Sequence, residues 1–516
     1  MNWRLRHSLP AALPGLLLGV LVLCLGLALA WLPSKWAALG VLGGTMLLAL
    51  VLRPQYALCL LPFAVAFGSM AEIRLGGVNV TAGDVLVVLL LGSWIAGMIA
   101  ARRIAIPHAP LLFPLLAFLA AIMLSTLAST SLELCIKETV KWIEVLAIYL
   151  FMASRGADAG LRPEPQTHSQ SARVDPAIRQ VPVLAATWVV WALLGAGSIE
   201  ALAGAYQFVR RIGPEGFVLF GRFMRAYGHF AQPNPFAGYL GLTIPLAYAL
   251  SLGSLSPRGI SPGEQAAAVR HVLHRFAAAA APVVALGAMV AAALMSWSRG
   301  AWVGLAAALV TITVARSRRA LLGTVAAGLF LMYVLLIGGA RFLPPALVQR
   351  VSDFLPYASG IDVRTVQVTD ANYALVERMA HWEAAASMLA DHPWIGVGIG
   401  NYAVAYPQYA VGRWRDPLGH AHNYYLNIAA ESGIIGLAAY LALVAACLLH
   451  AWNVSRRARG YWRAVALGVL GVLVHLSVHN LFDNLYVHSM NIQLGLVLGL
   501  LAFAESSVHG TTAHRD

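Results

Sequence analysis

NYYLNIAAESGIIGLAAYLALVAACLL, residues 423–449, is apolar almost throughout and carries a single charge, Glu431. A bilayer core takes about 20 helical residues to cross, so the run is long enough to span. It is built on Leu, Ala, Ile and Gly without the alternation of a barrel strand, which makes it a helix. Comparable runs lie near 10–31, 36–52, 56–70, 83–101, 109–128, 136–152, 181–207, 233–253, 276–296, 301–316, 319–338, 461–481 and 487–505. The expected fold is therefore all-α, a polytopic transmembrane helical bundle of about 12–14 spans.

Composition agrees. Of the 516 residues, 59% are apolar and only 11% charged, and the mean hydropathy is +0.73. A soluble domain carries about 25% charged residues. Half that share cannot cover a water-facing surface, which excludes a cytosolic enzyme, a nucleic-acid binder and a secreted disulfide scaffold. The net charge of +13 is better read as basic cytoplasmic loops than as nucleic-acid affinity. The first run is long, has no small-residue cleavage site and is followed at once by another, so it reads as a span and not a signal peptide. Cys24, Cys59, Cys135 and Cys447 sit in apolar runs without metal-ligand spacing and read as small core residues.

With Arg4 and Arg6 placed inside, Arg53, Arg102 and Arg103, the 254–275 turn, Arg316, Arg318 and Arg319, and Arg456, Arg457, Arg459 and Arg463 also fall inside. That is the positive-inside pattern. It divides the chain into N-terminal spans (1–152), an inner linker rich in Pro, Ser and Gln (153–180), central spans (181–339), a large partly helical outer loop (340–422) and C-terminal spans (423–516). Both termini fall inside. The same topology leaves Arg222, Arg225 and Arg299 outside beside membrane ends with few acids near them, and Arg378 in the outer loop. Arginine at such depth is costly unless it meets anions, and its planar fork suits phosphate.

Within the outer loop, Tyr373–Leu389 has apolar residues at helical spacing, and Asp391-His392-Pro393-Trp394 ends it. Gly396, Gly398 and Gly400 follow as a tight turn. No βαβ unit surrounds them, so a nucleotide-binding reading fails. Lys137, Glu138, Lys141 and Glu144 lie at helical spacing near the start of a span, where they either form pairs at i,i+3 and i,i+4 or lie at the interface.

Three islands carry chemistry. Arg222-Phe223-Met224-Arg225-Ala226-Tyr227-Gly228-His229 precedes a helix opening at Pro233-Asn234, whose N-terminus adds free N–H donors. Ser296-Trp297-Ser298-Arg299-Gly300-Ala301 is an outer helix junction. His420-Ala421-His422-Asn423 runs through Glu431-Ser432-Gly433 to Gly436. A growing negative charge on a departing diphosphate calls for guanidinium groups, here Arg225 and Arg299, with Arg222 and Arg378 as further candidates. A histidine can take a proton near neutral pH; His422 is the first candidate base and His420 the second. The His-x-His pair has no further ligand at standard zinc spacing, so no metal is expected. Asn423, Glu431 and Tyr402 are candidates for acceptor contact or structural support. His479 to Asn484 and Tyr486 are polar groups at a membrane end that either line an acceptor groove or cap helices at Asn480 and Asp483, the cap reading being favoured.

Together these islands, with Arg378…Trp382-Glu383-Ala384-Ala385 and His392-Pro393-Trp394-Ile395-Gly396-Val397-Gly398…Asn401-Tyr402, resemble the O-antigen ligase and polymerase superfamily over roughly residues 200–450. The resemblance implies a GT-C-like membrane fold in a bacterial inner membrane with a periplasmic active site. It implies an inverting, metal-independent and cofactor-free glycosyltransferase. The donor would be a glycan on undecaprenyl pyrophosphate. The acceptor hydroxyl would belong to lipid A-core, with a glycan repeat unit (polymerase) or a protein (O-oligosaccharyltransferase) as alternatives. From another class, an inorganic anion transporter competes, but transport sites sit at the membrane midplane, and the charges here gather at the outer face.

Overall fold

The computed structural model describes residues 48–50, 53–70, 73–75, 78–102, 107, 109–156, 176–254, 268–338, 344–352, 362–369 and 372–512. The expected span 10–31, nearly all of 36–52 and most of the 153–180 linker lie outside them. The chain is a polytopic helical membrane protein. Among the described residues, seven helices are long and apolar enough to cross a bilayer, and shorter apolar helices accompany them.

In chain order the first helices are α1 (Gln55–Phe67), α2 (Ala82–Ala100), α3 (Leu112–Ser125), α4 (Leu132–Gly156) and α5 (Pro176–Arg210). The central part holds α6 (Pro233–Gly241), α7 (Ile244–Ser254), α8 (Ala268–Met295), α9 (Arg299–Arg316) and α10 (Arg318–Gly338). The long loop is partly helical, as its periodicity predicts, with α11 (Pro345–Ser352), α12 (Tyr373–Asp391) and α13 (Tyr402–Tyr409). The chain then forms α14 (Tyr424–Arg457), α15 (Gly460–His479) and α16 (Met490–Thr512). Two short antiparallel hairpins, β1 (Ile73–Leu75) with β2 (Val78–Val80) and β3 (Val218–Leu219) with β4 (Phe223–Met224), are the described sheet.

The helices differ in how far they are enclosed. Over their most apolar windows, Pro233–Gly253 and Met490–Val508 are 83% buried, whereas Ala82–Ala100 is 22% buried. A helix apolar on all sides belongs inside a bundle or against lipid. Thus α6, α7, α15 and α16 form the centre, and α2 turns Val88 and Ile99 outward. The run 233–253 is two helices, because α6 ends at Gly241 and α7 begins at Ile244. The α2 start is secured by a reciprocal capping box between Thr81 and Asp84.

The run 423–449 lies within α14 but is not straight. At Gly433, φ is 63° and ψ −166°, which suits a residue without Cβ. The break frees backbone groups, and the turn after α12 takes them. Val397 N donates to Ala430 O at 3.0 Å and Gly398 N to Glu431 O at 2.9 Å. In return Ile434 N donates to Pro393 O at 2.8 Å. The glycine run and the Glu-Ser-Gly island are thus two halves of one docking joint that seats the long loop on the bundle. A second small core, including Tyr402, Tyr406, Met388 and Trp414, closes over this joint.

Candidate active site

The loop between α5 and α6 turns back on itself through the β3–β4 hairpin and delivers Arg225 directly after β4. Its backbone is tied to its neighbours: Arg225 N donates to Phe217 O and Ala226 N to Met295 O, each at 3.0 Å. The following turn is held by two side chains from α5, seven residues apart and so on one helix face. Gln207 accepts from Tyr227 N at 3.2 Å and Gly228 N at 2.8 Å, and donates to Gly228 O at 2.7 Å. Glu200 accepts from His229 N at 3.0 Å and lies 2.7 Å from His229 Nδ1. Gly228 has φ +57°, and a Cβ there would fall 2.3 Å from Glu200 Oε2. The Arg225 guanidinium donates to Ser296 O at 2.8 Å and to Asn234 Oδ1 at 2.9 Å, bridging the junction before α9 and the start of α6.

Arg299 opens α9, and Arg350 reaches it from α11. Arg350 Nη2 donates to Trp297 O at 3.1 Å, and Arg299 Nη1 donates to Arg350 O at 3.5 Å. With Arg378 from α12, these arginines line one cavity of about 730 Å³, together with Asn234, His479 and Asp483. Burial lowers the Arg225 guanidinium to about 9, and Arg350, Arg378 and Arg299 push it the same way. Arg225 still carries its charge at neutral pH, so the cavity is a confined cluster of four cations with Asp483 as a nearby anion.

Asp483 joins this cluster to the histidines. One carboxylate oxygen lies 4.0 Å from Arg378 Nη2 and the other 3.3 Å from His422 Nδ1. Burial alone would raise this carboxyl. The His422 hydrogen bond and the charges of His422 and Arg378 outweigh it and hold the group well below the usual carboxylate range. In the neutral ring of His422, a carboxylate accepting at Nδ1 fixes the proton there and leaves Nε2 with its lone pair.

His420 is differently placed. Its Nδ1 accepts from His422 N at 3.1 Å, so in the neutral ring the proton sits on Nε2. Burial and the charge of His422 lower His420 to about 4, so it stays neutral and offers a donor where a base needs a lone pair. His381, against Tyr402 and Tyr406, is likewise lowered to about 4, by burial first. His422 itself has φ +52°, a left-handed conformation that costs a non-glycine residue about 1 kcal/mol or more. It is held by its neighbours. Ala421 N donates to Asn427 Oδ1 at 3.0 Å, and Tyr424 N donates to Asn480 O at 2.8 Å.

The structure therefore brings together Arg225, Arg299, Arg378, His420 and His422. Arg222 is elsewhere: its guanidinium lies over the Phe223 ring, 5.3 Å from the centroid, and is not part of the cavity wall. Asn423 caps α14, accepting from Tyr425 N and Leu426 N at 3.0 and 3.1 Å. Glu431 is buried and accepts from Tyr402 N at 3.1 Å; Tyr402 OH is 2.9 Å from His381 Nδ1. These contacts hold the loop joint.

Two residues were not among the site candidates from sequence. Asp483, read as a helix cap, turns its side chain to His422 and Arg378, because α15 ends beside the loop that carries them. A carboxylate alone in an apolar stretch was the available signal. Arg350 lies in a loop helix outside the three islands, and its spacing gave no signal. His420, His422 and Asp483 also bring possible ligand atoms within 4.8 Å of one another. Asp483 is a third ligand that local spacing could not reveal. The hydrogen bonds just described already occupy Nδ1 of both rings.

Fold and site together define an integral membrane protein of many helices with an arginine-lined cavity and an Asp–His pair at one end of the bundle. Residues 284–441 match the family model for O-antigen ligase. That segment contains Arg299, Arg350, Arg378, His420 and His422; Arg225 and Asp483 reach the same site from outside it. No curated protein matches the chain.

Proposed function

We propose that the chain transfers a glycan from undecaprenyl pyrophosphate to an acceptor hydroxyl, as an O-antigen ligase, at the periplasmic face of a bacterial inner membrane with both termini cytoplasmic. The observation that carries this reading is the cavity lined by Arg225, Arg299, Arg350 and Arg378 next to the Asp483–His422 pair. The diphosphate sits among the guanidiniums. The acceptor oxygen attacks the anomeric carbon from the opposite face, and the bond to the diphosphate oxygen breaks with inversion. His422 Nε2 takes the acceptor's proton, and Asp483 stabilises the imidazolium that forms. The charge leaving with the diphosphate is met by fixed donors that need little reorganisation.

The test uses the purified full chain in proteoliposomes with an undecaprenyl-pyrophosphate glycan. Carrier release and product mass are followed with lipid A-core, and with donor alone. Transfer to lipid A-core that His422→Ala abolishes supports the ligase. Chain growth from donor alone makes the chain a polymerase. No turnover with either removes the ligase reading and directs attention to protein acceptors.

A further inference from the structure

His479 ends α15 and lines the arginine cavity, although it is only 1% exposed. Its ring lies between α6 and α9. A Cβ on Gly238 would stand 3.5 Å from its Cε1, and one on Gly300 would stand 3.2 Å from its Nε2. Gly300 follows Arg299 and lines the same cavity, so Nε2 is the ring nitrogen beside the wall that carries Arg299. Among the described residues nothing hydrogen-bonds to that nitrogen. The other one is engaged: Nδ1 lies 3.4 Å from Nε2 of His475, about one turn earlier on α15. His475 is fully buried, and two neighbouring helices make room for it with glycine. A Cβ on Gly241 would overlap its Nε2, and one on Gly304 would stand 2.9 Å from its Nδ1. Two imidazoles enclosed in an apolar bundle are expensive to keep, and such groups mark function.

The N-terminus of α9 meets His479 at this point. Arg299 is its first residue, no acidic residue stands in its first turn, and its N-cap Ser298 makes no side-chain cap. Ser298 also lines the cavity and is 3% exposed. The first bond within the helix runs from Trp302 N to Ser298 O at 3.0 Å, so Gly300 N and Ala301 N precede any acceptor in the helix. A helix start favours anions, and a cation at its first position opposes the helix dipole. A negative ligand there relieves both. The histidine pair supplies a matching donor. With a proton on Nε2 of each ring, His475 donates to His479 Nδ1 and His479 Nε2 donates into the cavity. The opposite arrangement turns a lone pair on the anion. A phosphate oxygen at Nε2 therefore selects the first, and His479 meets it as a neutral donor.

We infer that His479 is a further donor-binding residue: its Nε2, the Gly300 N–H and the Ser298 hydroxyl hold one phosphoryl group of the carrier diphosphate at the α9 N-terminus, beside the guanidiniums. This rests on the transferase reading above. As the glycosidic bond breaks, its electron pair goes to the phosphate oxygen. These neutral donors hydrogen-bond to that charge and give up no proton.

The test is binding of inorganic pyrophosphate to the purified full chain in lipid nanodiscs, by titration calorimetry, alongside single-turnover transfer from an undecaprenyl-pyrophosphate glycan. His479→Phe keeps a ring without a donor, and His479→Gln restores an amide donor. His479→Phe should weaken pyrophosphate about tenfold, the loss expected for one hydrogen bond to a charged group, and slow single-turnover transfer at least as much. His479→Gln should stay within about threefold of wild type. Ser298→Ala, a smaller change that leaves the histidines in place, should weaken pyrophosphate about fivefold. Wild-type affinity in His479→Phe or in Ser298→Ala overturns the subsite. An equal loss in His479→Gln and His479→Phe overturns it too, because a packing role would produce that. So does a wild-type chain that binds no pyrophosphate. The two readings fail separately. Pyrophosphate held through His479 by a chain that transfers to no acceptor removes the transferase and leaves the subsite. Transfer that His479→Phe leaves intact removes the subsite and leaves the transferase.

Discussion

His422 Nδ1 lies 3.3 Å from Asp483 Oδ1, although the residues are 61 apart in sequence. One arrives on the loop before α14 and the other at the end of α15, so the pair exists only when those helices pack. Asp483→Asn keeps the shape but removes the charge that opposes the imidazolium. Its kcat is expected to fall by roughly 10²–10⁴-fold, with little change in donor KM. His422→Ala should fall at least as far. His420→Gln, at a ring whose Nδ1 is already engaged, should cost about tenfold or less. Single-turnover transfer in proteoliposomes checks all three, and an Asp483→Asn enzyme with wild-type kcat removes the pair from the mechanism.

Lysine retains charge but loses the planar fork. Arg225→Lys, Arg299→Lys and Arg350→Lys should each lower kcat/KM for the donor by about 10²-fold, the size of one lost oxyanion-type donor. Arg222→Lys, whose side chain lies over Phe223, should change it little. Initial rates against donor concentration separate the two groups; equal effects at Arg222 and Arg225 contradict the cavity assignment.

Four clustered guanidiniums repel one another until an anion joins them. Inorganic pyrophosphate should raise Tm in detergent, by about 2.7 kcal/mol of stabilisation when present at 100 times its Kd. Arg225→Gln should lose most of that shift, because the half-buried Arg225 sits among the other three. Sulfate at equal ionic strength controls for salt. A shift that Arg225→Gln retains in full places the anion elsewhere.

Two glycines hold the site's framework. At Gly433 a Cβ would lie 2.3 Å from the Trp394 carbonyl group, and at Gly228 it would meet Glu200 and Phe236. Gly433→Ala and Gly228→Ala should each destabilise by about 1–3 kcal/mol, from left-handed strain plus displacement. Thermal unfolding in detergent measures this; a neutral Gly433→Ala means the joint with residues 392–398 is looser than described.

Burial lowers His420 and His381 to about 4, below the ordinary value of about 6.5 that applies when the chain is unfolded. Between those values the unfolded state binds more protons, so the contribution to stability is present above about pH 6.5 and is lost as pH falls toward 4. Tm should therefore decline across that window and decline less steeply in His420→Gln. An identical pH profile for the variant shows that His420 does not contribute to the decline.

Much of this was legible in the residues. Runs such as 461–481 declare spans, Tyr373–Leu389 declares a helix in the loop, and the islands around Arg225, Arg299 and His422 supply residues that line or adjoin the one cavity. Lys141 and Glu138 pair at i,i+3 as their spacing allows. Legibility stops where a residue's partner is distant. Glu431 looked equally suited to acceptor contact and to structural support, and only the kink at Gly433 shows why it is a buried support that meets Tyr402 N.

Sequence by itself determined that this chain lives in a membrane as helices, because hydrophobicity and charge act locally and add along the chain. It also determined which residue types could meet a diphosphate and take a proton. Tertiary structure alone decided which of them work together. It set Arg222 apart, brought in Arg350 and turned Asp483 from a helix end into the partner of His422. The physical reason is that a hydrogen bond or ion pair depends on atoms within a few ångströms, and helix packing sets those distances between residues far apart in the chain.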